Sequence, residues 1–296
     1  MRFRDYFKDP AQQIISFELY PPKTAKGMLT LKEQVIPNLV KLGPSYITVT
    51  YGAGGSTQGM TLEIASTIRN QFDLESACHL TCVGASKADI EQIVRKISAE
   101  GIENIVALRG DTPKGQDRFT THEDGFGHAN ELVSHIRSME GIGEGTGLAV
   151  AGYPEKHQEA PSLDEDIENL KRKVDAGADV IITQLFYDND TFYAYRDKVA
   201  AAGIDVPLVP GLMPIQSSHQ IQRIASLCGA HLPDPLLEKL EDAGEDDKLA
   251  TEIGTEQCIE QSNALLASGV TGIHYYVLNR SSQIHRVIRG IDRQKR

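Results

Sequence analysis

The chain has 296 residues, with 30 Lys and Arg against 41 Asp and Glu and a formal net charge of −11. That balance speaks against a nucleic-acid or anionic-membrane binder, both of which need basic surfaces, yet a few local cations can still hold a phosphate. No apolar run approaches the roughly 18 residues of a membrane span. No apolar region follows Met1-Arg2-Phe3-Arg4-Asp5-Tyr6 either, so a cytoplasmic protein is expected.

Short apolar, β-branched runs alternate with longer helical patterns along the chain. Strands are expected at 14–20, 46–51, 76–82, 104–110, 147–153, 179–186, 206–212 and 271–278. Helical stretches fall between them, among them 29–42, 87–100, 163–176 and 191–202. In 87–100, Ile90, Ile93, Val94 and Ile97 form one helical stripe. Gly43, Gly101, Gly177, Gly203 and Gly269 precede the next strand, where a helix end favours a left-handed residue. The loop 112–127 is long and rich in Gly, Asp and Thr, the type that serves as a lid. Around Leu232-Pro233-Asp234-Pro235 and the acidic stretch 241–247 the rhythm breaks, and 231–250 reads as a small helical surface insertion before the last strand.

Eight strand–helix units with nearly continuous apolar strands predict an α/β fold, a single (β/α)8 TIM-type barrel forming one domain over 1–296. An open doubly wound sheet is the alternative. It would carry a glycine-rich turn after the first strand, where Tyr20-Pro21-Pro22-Lys23 stands. Cys78, Cys82, Cys228 and Cys258 lack metal-ligand spacing and are expected as buried thiols in a reducing compartment.

Barrels place their chemistry at the carboxyl ends of the strands. Those ends carry Glu18, then Thr48-Val49-Thr50-Tyr51-Gly52-Ala53-Gly54-Gly55, His79 and Thr81, and Arg109-Gly110-Asp111. Next come Tyr153-Pro154-Glu155-Lys156-His157, Thr183-Gln184 and Asn279-Arg280. Singly, each has a structural explanation: a paired carboxylate, a core histidine, an ion-paired turn, a solvated basic face at Lys171-Arg172-Lys173. Their convergence on one end of nearly every strand favours a site. Glu18 suits a general acid if burial raises its pKa. The glycine loop admits a flat ring or a phosphate, and Arg109, His157 and Lys173 can neutralise a pyrophosphate. Neither a metal-ligand cluster nor a nucleophile elbow is present in the pattern, so no metal is expected. The residues by themselves imply a barrel enzyme with an anionic, planar cofactor.

At these same positions the chain resembles the methylenetetrahydrofolate reductase family. The matching segments run in family order from Ser16-Phe17-Glu18-Leu19-Tyr20-Pro21-Pro22 through His79-Leu80-Thr81-Cys82 and Asn104-Ile105-Val106-Ala107-Leu108-Arg109-Gly110-Asp111. They continue through Ala151-Gly152-Tyr153-Pro154-Glu155 and Ile182-Thr183-Gln184 to Tyr276-Val277-Leu278-Asn279-Arg280. The resemblance implies an FAD-containing barrel in which NADH or NADPH and 5,10-methylenetetrahydrofolate take turns at the flavin. Hydride would pass through flavin N5 to give 5-methyltetrahydrofolate for methionine synthesis. By the same resemblance Glu18 is the general acid that protonates folate N10, and Asp111 is the carboxylate that stabilises the cationic folate. Thr50 lies at the nicotinamide site, and Gln184, Gln220 and Arg280 contact folate. Flavin contacts are implied at Tyr51, Ala53, His79, Arg109, Gly110, Asp111, Ala129, Tyr153, His157, Ala160, Asp166, Asn169 and Lys173. Spacing of i, i+3 and i+7 puts the last three on one helix face, leaving Lys171 and Arg172 solvated. His128 and Ile224 depart from the tyrosine and phenylalanine some relatives carry there. The chain ends soon after the last barrel helix, so neither an S-adenosylmethionine-binding domain nor inhibition by that ligand is expected; a homo-oligomer is. Two alternatives are a flavin- or folate-binding barrel without turnover, and a Schiff-base aldolase using Lys23 or Lys173.

Overall fold

The computed structural model describes residues 1–52, 57–112 and 120–292. Eight strands close in sequence order into a barrel: β1 (Ile14–Leu19), β2 (Tyr46–Val49), β3 (Glu75–Thr81), β4 (Asn104–Leu108), β5 (Gly147–Gly152), β6 (Val180–Leu185), β7 (Leu208–Leu212) and β8 (Gly272–Tyr276). Every neighbouring pair is parallel, and β8 returns to β1 in the register Ser16↔His274 and Glu18↔Tyr276. The expected TIM-type barrel is the observed fold. All strands but β7 stop a residue or two short of the expected ends; Tyr20, Thr50–Tyr51 and Tyr153 lie past the last ladder pair and turn into the loops at the mouth.

Alternation sorts the strand residues into two cores. One parity faces the helices and is apolar: Ile15, Phe17, Leu19, Ile47, Val49, Cys78, Leu80, Ile105, Leu148, Val150 and Ile181 are buried beneath them. The other parity fills the barrel. Its lowest layer holds Ile14, Tyr46, Ala77, Val106, Ala149, Val180 and Val209, closed from below by Phe3 and Tyr6 of the short helix α1 (Phe3–Tyr6). Phe3 meets the Tyr46 ring edge-on at 5.0 Å. Above this plug the inward parity turns polar, and the site begins there.

Helices α2 (Ala25–Thr30) and α3 (Ile36–Val40) are joined by a π-helical turn at Leu31–Val35, where Ile36 N–H donates to Leu31 O, five residues back. Pro37 has no N–H for an α-helical bond, so the widened turn sits where the ladder is interrupted. The outer ring continues with α4 (Gln58–Phe72), α5 (Lys87–Ala99), α6 (Ala129–Ser138), α7 (Leu163–Asp175), α8 (Asn189–Ala201), α9 (Ser218–Cys228), α10 (Asp234–Ala243), α11 (Asp247–Ala267) and α12 (Ser281–Gly290). Helix α5 buries the expected stripe of Ile90, Ile93, Val94 and Ile97, and Ser86 caps it by accepting from Asp89 N–H. Region 231–250 is helical, as α10 and the first turn of α11. It buries Leu236, Leu240, Ala243 and Ala250 against Leu185, Tyr187, Met213 and Ile215 beside the barrel mouth. Of the four free cysteines three are buried, and Cys228 is partly exposed.

A bulge in β6 breaks its pairing with β7 between Ile182 and Leu185. Thr183 fills it by accepting Gly211 N–H at 2.9 Å, so it serves the sheet and does not face the mouth. A Cβ on Gly211 would stand 2.2 Å from Thr183 O and 2.7 Å from the Tyr276 ring. Gly211→Ala is therefore expected to destabilise the fold by about 2 kcal/mol or more, because backbone cannot step aside. A urea midpoint equal to that of the parent protein would show that the bulge yields. Among the described residues, no helix is long and apolar enough to cross a membrane.

Candidate active site

The carboxyl end of the barrel opens into a cavity of about 430 Å³. It is lined by Glu18, Thr50, Tyr51, His79, Thr81 and Arg109, together with Asp111, Tyr153, His157, Gln184, Ile224 and Tyr276. A second cavity of about 350 Å³ adjoins it through the shared walls Leu108, Arg109, Ala151, Tyr153 and His157. It runs outward between α6 and α7 over Ala129, Ala160, Asp166, Asn169, Arg172 and Lys173. Sequence parity explains the first cavity: Glu18, His79, Thr81, Gln184 and Tyr276 all occupy inward positions.

Glu18 stands at the floor of the mouth. Its Oε2 lies 3.3 Å from His79 Nε2 and 3.5 Å from His274 Nε2. Burial pushes the Glu18 carboxyl up, but the charge of His79 and the bond and charge of His274 oppose it, and the net shift is downward. Burial alone, on which a raised carboxyl was expected, does not set this group. His79 moves down as well, chiefly through burial, with Glu18 pulling it back up. His79 Nε2 and Thr81 Oγ1 are buried in the mouth without a hydrogen-bond partner, although each polar atom so placed needs one.

Asp111 is exposed at the rim, past the end of β4. Gly110 directs it there with φ +92°, and a Cβ at this position would meet Val83 at 2.9 Å and Thr81 at 3.0 Å. Arg109 stands between the two cavities and donates to both Glu159 oxygens, at 2.5 and 2.8 Å. In the second cavity Lys173 Nζ donates to Ala151 O at 2.6 Å and lies 5.7 Å from the Tyr153 ring centroid. Burial draws its ammonium down to about 8, against the pull of Asp166. Asp166 is itself buried and raised by burial, partly offset by the His157 N–H it accepts at 3.1 Å. Helix α6 begins at Ala129 on the cavity wall, so its first N–H groups lie beside the space.

Thr50, Tyr51, His79, Arg109, Gly110, Asp111, Tyr153, His157 and Gln184 thus meet in the first cavity, and Ala129, Ala160, Asp166, Asn169 and Lys173 in the second. Ala53 and the glycines after it lie outside the described residues, as does 113–119 of the expected lid. The rest of that loop is anchored, with Phe126 buried and packed at 4.9 Å against His135. Gln220 and Arg280 are exposed and line neither cavity. Gln220 lies one helical turn before Ile224, which does line the mouth, and Arg280 is the N-cap of α12. Arg172, expected to be solvated only, is exposed but also stands on the second cavity, donating to Asn169 Oδ1 at 2.9 Å. Sequence reasoning passed over His274, Tyr276 and Glu159. Counting alternate residues along the last strand would have put His274 and Tyr276 on the inward face; Glu159 carries no such signal.

A closed parallel barrel whose ionisable residues converge from many strands on one open end defines a β/α-barrel protein with a ligand-binding mouth. Among solved structures, an uncharacterized protein from Clostridium thermocellum that binds two copies of 5-methyl-5,6,7,8-tetrahydrofolic acid shares this fold. Its TM-score is 0.66 at 15% identity, covering 94% of this chain and 93% of that one. The chain belongs to the methylenetetrahydrofolate reductase family, whose model it matches over residues 2–292. It is 34% identical over 273 residues to the 5,10-methylenetetrahydrofolate reductase of Escherichia coli, covering 92% of this chain and 88% of that protein. It is 41% identical over 280 residues to methylenetetrahydrofolate reductase (NADH) 1 of Arabidopsis thaliana, covering 92% of this chain and 47% of that protein. The chain thus spans about half the length of the plant and yeast relatives it matches.

Proposed function

We propose that this protein reduces 5,10-methylenetetrahydrofolate to 5-methyltetrahydrofolate, with FAD bound along the two cavities and NADH or NADPH as the electron source. The observation that carries the proposal is the convergence of Glu18 and Asp111 on a mouth that continues into a cation-bearing groove. The plant relatives are NADH-type reductases, which favours NADH. FAD fits the donor set: Lys173 and Arg109 offer positive charge, α6 offers its amino-terminal N–H groups, and His79 Nε2 and Thr81 Oγ1 want partners in the mouth. When bound, FAD supplies a hydride relay between nicotinamide and folate.

The remaining work falls to side chains. Glu18, at the floor of the mouth, delivers a proton to the folate nitrogen whose release opens the five-membered ring. Asp111 places negative charge where the opened folate is cationic. Tyr51, Tyr153 and Tyr276 supply ring surfaces around the same space.

Glu18 sits between two imidazoles, with His79 Nε2 at 3.3 Å and His274 Nε2 at 3.5 Å. Both Glu18 and His79 are shifted downward, so the protonated fraction of Glu18 is small at neutral pH and grows as pH falls. The folate half-reaction is therefore expected to quicken as pH falls from 8 to 6. Hydride transfer from NADH, which needs no proton from Glu18, is expected to stay nearly flat. Stopped-flow rates of each half-reaction across that range test this; a folate rate that climbs with pH would remove Glu18 as the acid. A yellow protein that NADH bleaches and methylenetetrahydrofolate recolours supports turnover. A protein that binds flavin or folate without either change would be a binding barrel instead.

A further inference from the structure

The side chain that holds Glu18 from behind is never in reach of a ligand. His274, on β8, is 0% exposed and does not line the mouth, whereas Glu18 and His79 do. Both of its ring nitrogens are engaged by one strand: Nδ1 lies 2.8 Å from Ser16 Oγ and Nε2 lies 3.5 Å from Glu18 Oε2. Ser16 and Glu18 are inward neighbours on β1, two residues apart, and Ser16 pairs with His274 across the closing ladder of the barrel. A neutral imidazole has one donor and one acceptor. If Nε2 carries its hydrogen towards the carboxylate, Nδ1 must accept, and the Ser16 hydroxyl donates to it. The ionised Glu18 carboxylate can only accept, so it selects the tautomer with hydrogen on Nε2, and the Ser16 hydroxyl, able to donate or accept, completes it by donating to Nδ1.

The two histidines on Glu18 thus occupy unlike places. His79 reaches it from β3 at 3.3 Å, lines the cavity and has an Nε2 without a hydrogen-bond partner, so it faces whatever enters. His274 is fixed beneath, with the Tyr276 ring standing edge-on to it at 5.2 Å. The ionisable groups around Glu18 are then His79 from β3, His274 and Tyr276 from β8, and, beyond Ser16, Tyr46 from β2. Burial holds both tyrosines above the neutral range.

We propose that His274, held by Ser16, is the positioning residue that fixes Glu18 Oε2 at the floor of the mouth and keeps its second oxygen free for the substrate. The role rests on the folate chemistry proposed for Glu18, and its test separates the two. In the full FAD-loaded chain, the Glu18 carboxyl is followed by carbon-13 NMR through a pH titration, its signal identified by its absence in Glu18→Gln. His274→Leu is expected to move the titration up by about 1 unit or more, the scale of losing a partner within a few ångströms. Ser16→Ala moves it the same way by less. In His274→Leu the folate half-reaction, taken per protonated Glu18 so that the upward titration is allowed for, slows by about 10–100-fold, the scale of a misplaced general acid. NADH bleaching stays within about twofold, and His274→Gln, which keeps a donor, recovers part of the lost rate.

A Glu18 titration unmoved in His274→Leu, or in Ser16→Ala and His274→Gln should the leucine variant not fold, overturns the proposal. Equal loss in both half-reactions with loss of FAD overturns it too, since that marks a structural role. If the parent protein shows no folate turnover at all, the proposed activity fails, while the carboxyl titration still decides what His274 does.

Discussion

Glu18→Gln is expected to slow the folate half-reaction by about 100-fold or more while leaving NADH-dependent bleaching of the flavin within about twofold. The amide keeps the size of the carboxyl and can still accept from His274, so the floor of the mouth should stay packed. What it lacks is a transferable proton, and removing a general acid typically costs 10²–10⁴-fold (an order-of-magnitude scale). Single-turnover rates for each half-reaction measure both effects in one preparation. Equal damage to the two halves would mean that Glu18 supports the shape of the mouth and not the chemistry. Methylenetetrahydrofolate reduction at the parental rate would move the acid elsewhere, with Asp111 at the rim as the remaining carboxylate of the proposed pair.

Lys173→Ala is expected to weaken FAD binding by about 10–100-fold, the loss of a charge-assisted hydrogen bond worth about 1.5–3 kcal/mol. Hydride transfer in the fraction that keeps its flavin should be little changed, because Lys173 lines the outer cavity and not the mouth. The parent protein should itself show a pH signature. Burial draws Lys173 down to about 8, so the free site carries the ammonium below that pH and loses it above. An anionic ligand prefers the charged form; the dissociation constant is therefore expected to be flat from pH 6 to 7 and to climb by up to about tenfold per unit beyond 8. Lys173→Ala should lose that climb along with its affinity. Calorimetric titration of flavin-free protein at pH 7 and pH 9 gives all four values. Equal affinities for parent and variant at pH 7 would take Lys173 out of the cofactor site and leave it as a helix-to-strand tie through Ala151 O.

Glu159 bears on the same measurement. It accepts from Nη1 and Nη2 of Arg109 across the groove, although its own side chain is 58% exposed. An exposed carboxylate in that position is worth little to stability, so a phosphate can replace it on the guanidinium at small cost.

Much of this was legible before any coordinates. Alternating strand and helix periods, and glycines at the helix ends, determined eight parallel units, because both signals are local and repeat. The same local order placed Glu18, His79, Arg109, Asp111 and Gln184 at strand ends, and the i, i+3, i+7 spacing put Asp166, Asn169 and Lys173 on one helical face. Only the closed barrel decided the rest. It brings β8 beside β1, and so His274 against Ser16 and Glu18 across more than 250 residues of chain, where two imidazoles reverse the shift that burial alone would give the carboxyl. It bonds Glu159 to Arg109, turns Thr183 into a bulge, and leaves Gln220 and Arg280 outside both cavities. Period and composition report which face of an element is apolar; the charge felt by a buried acid depends on side chains that meet only when the last strand returns to the first.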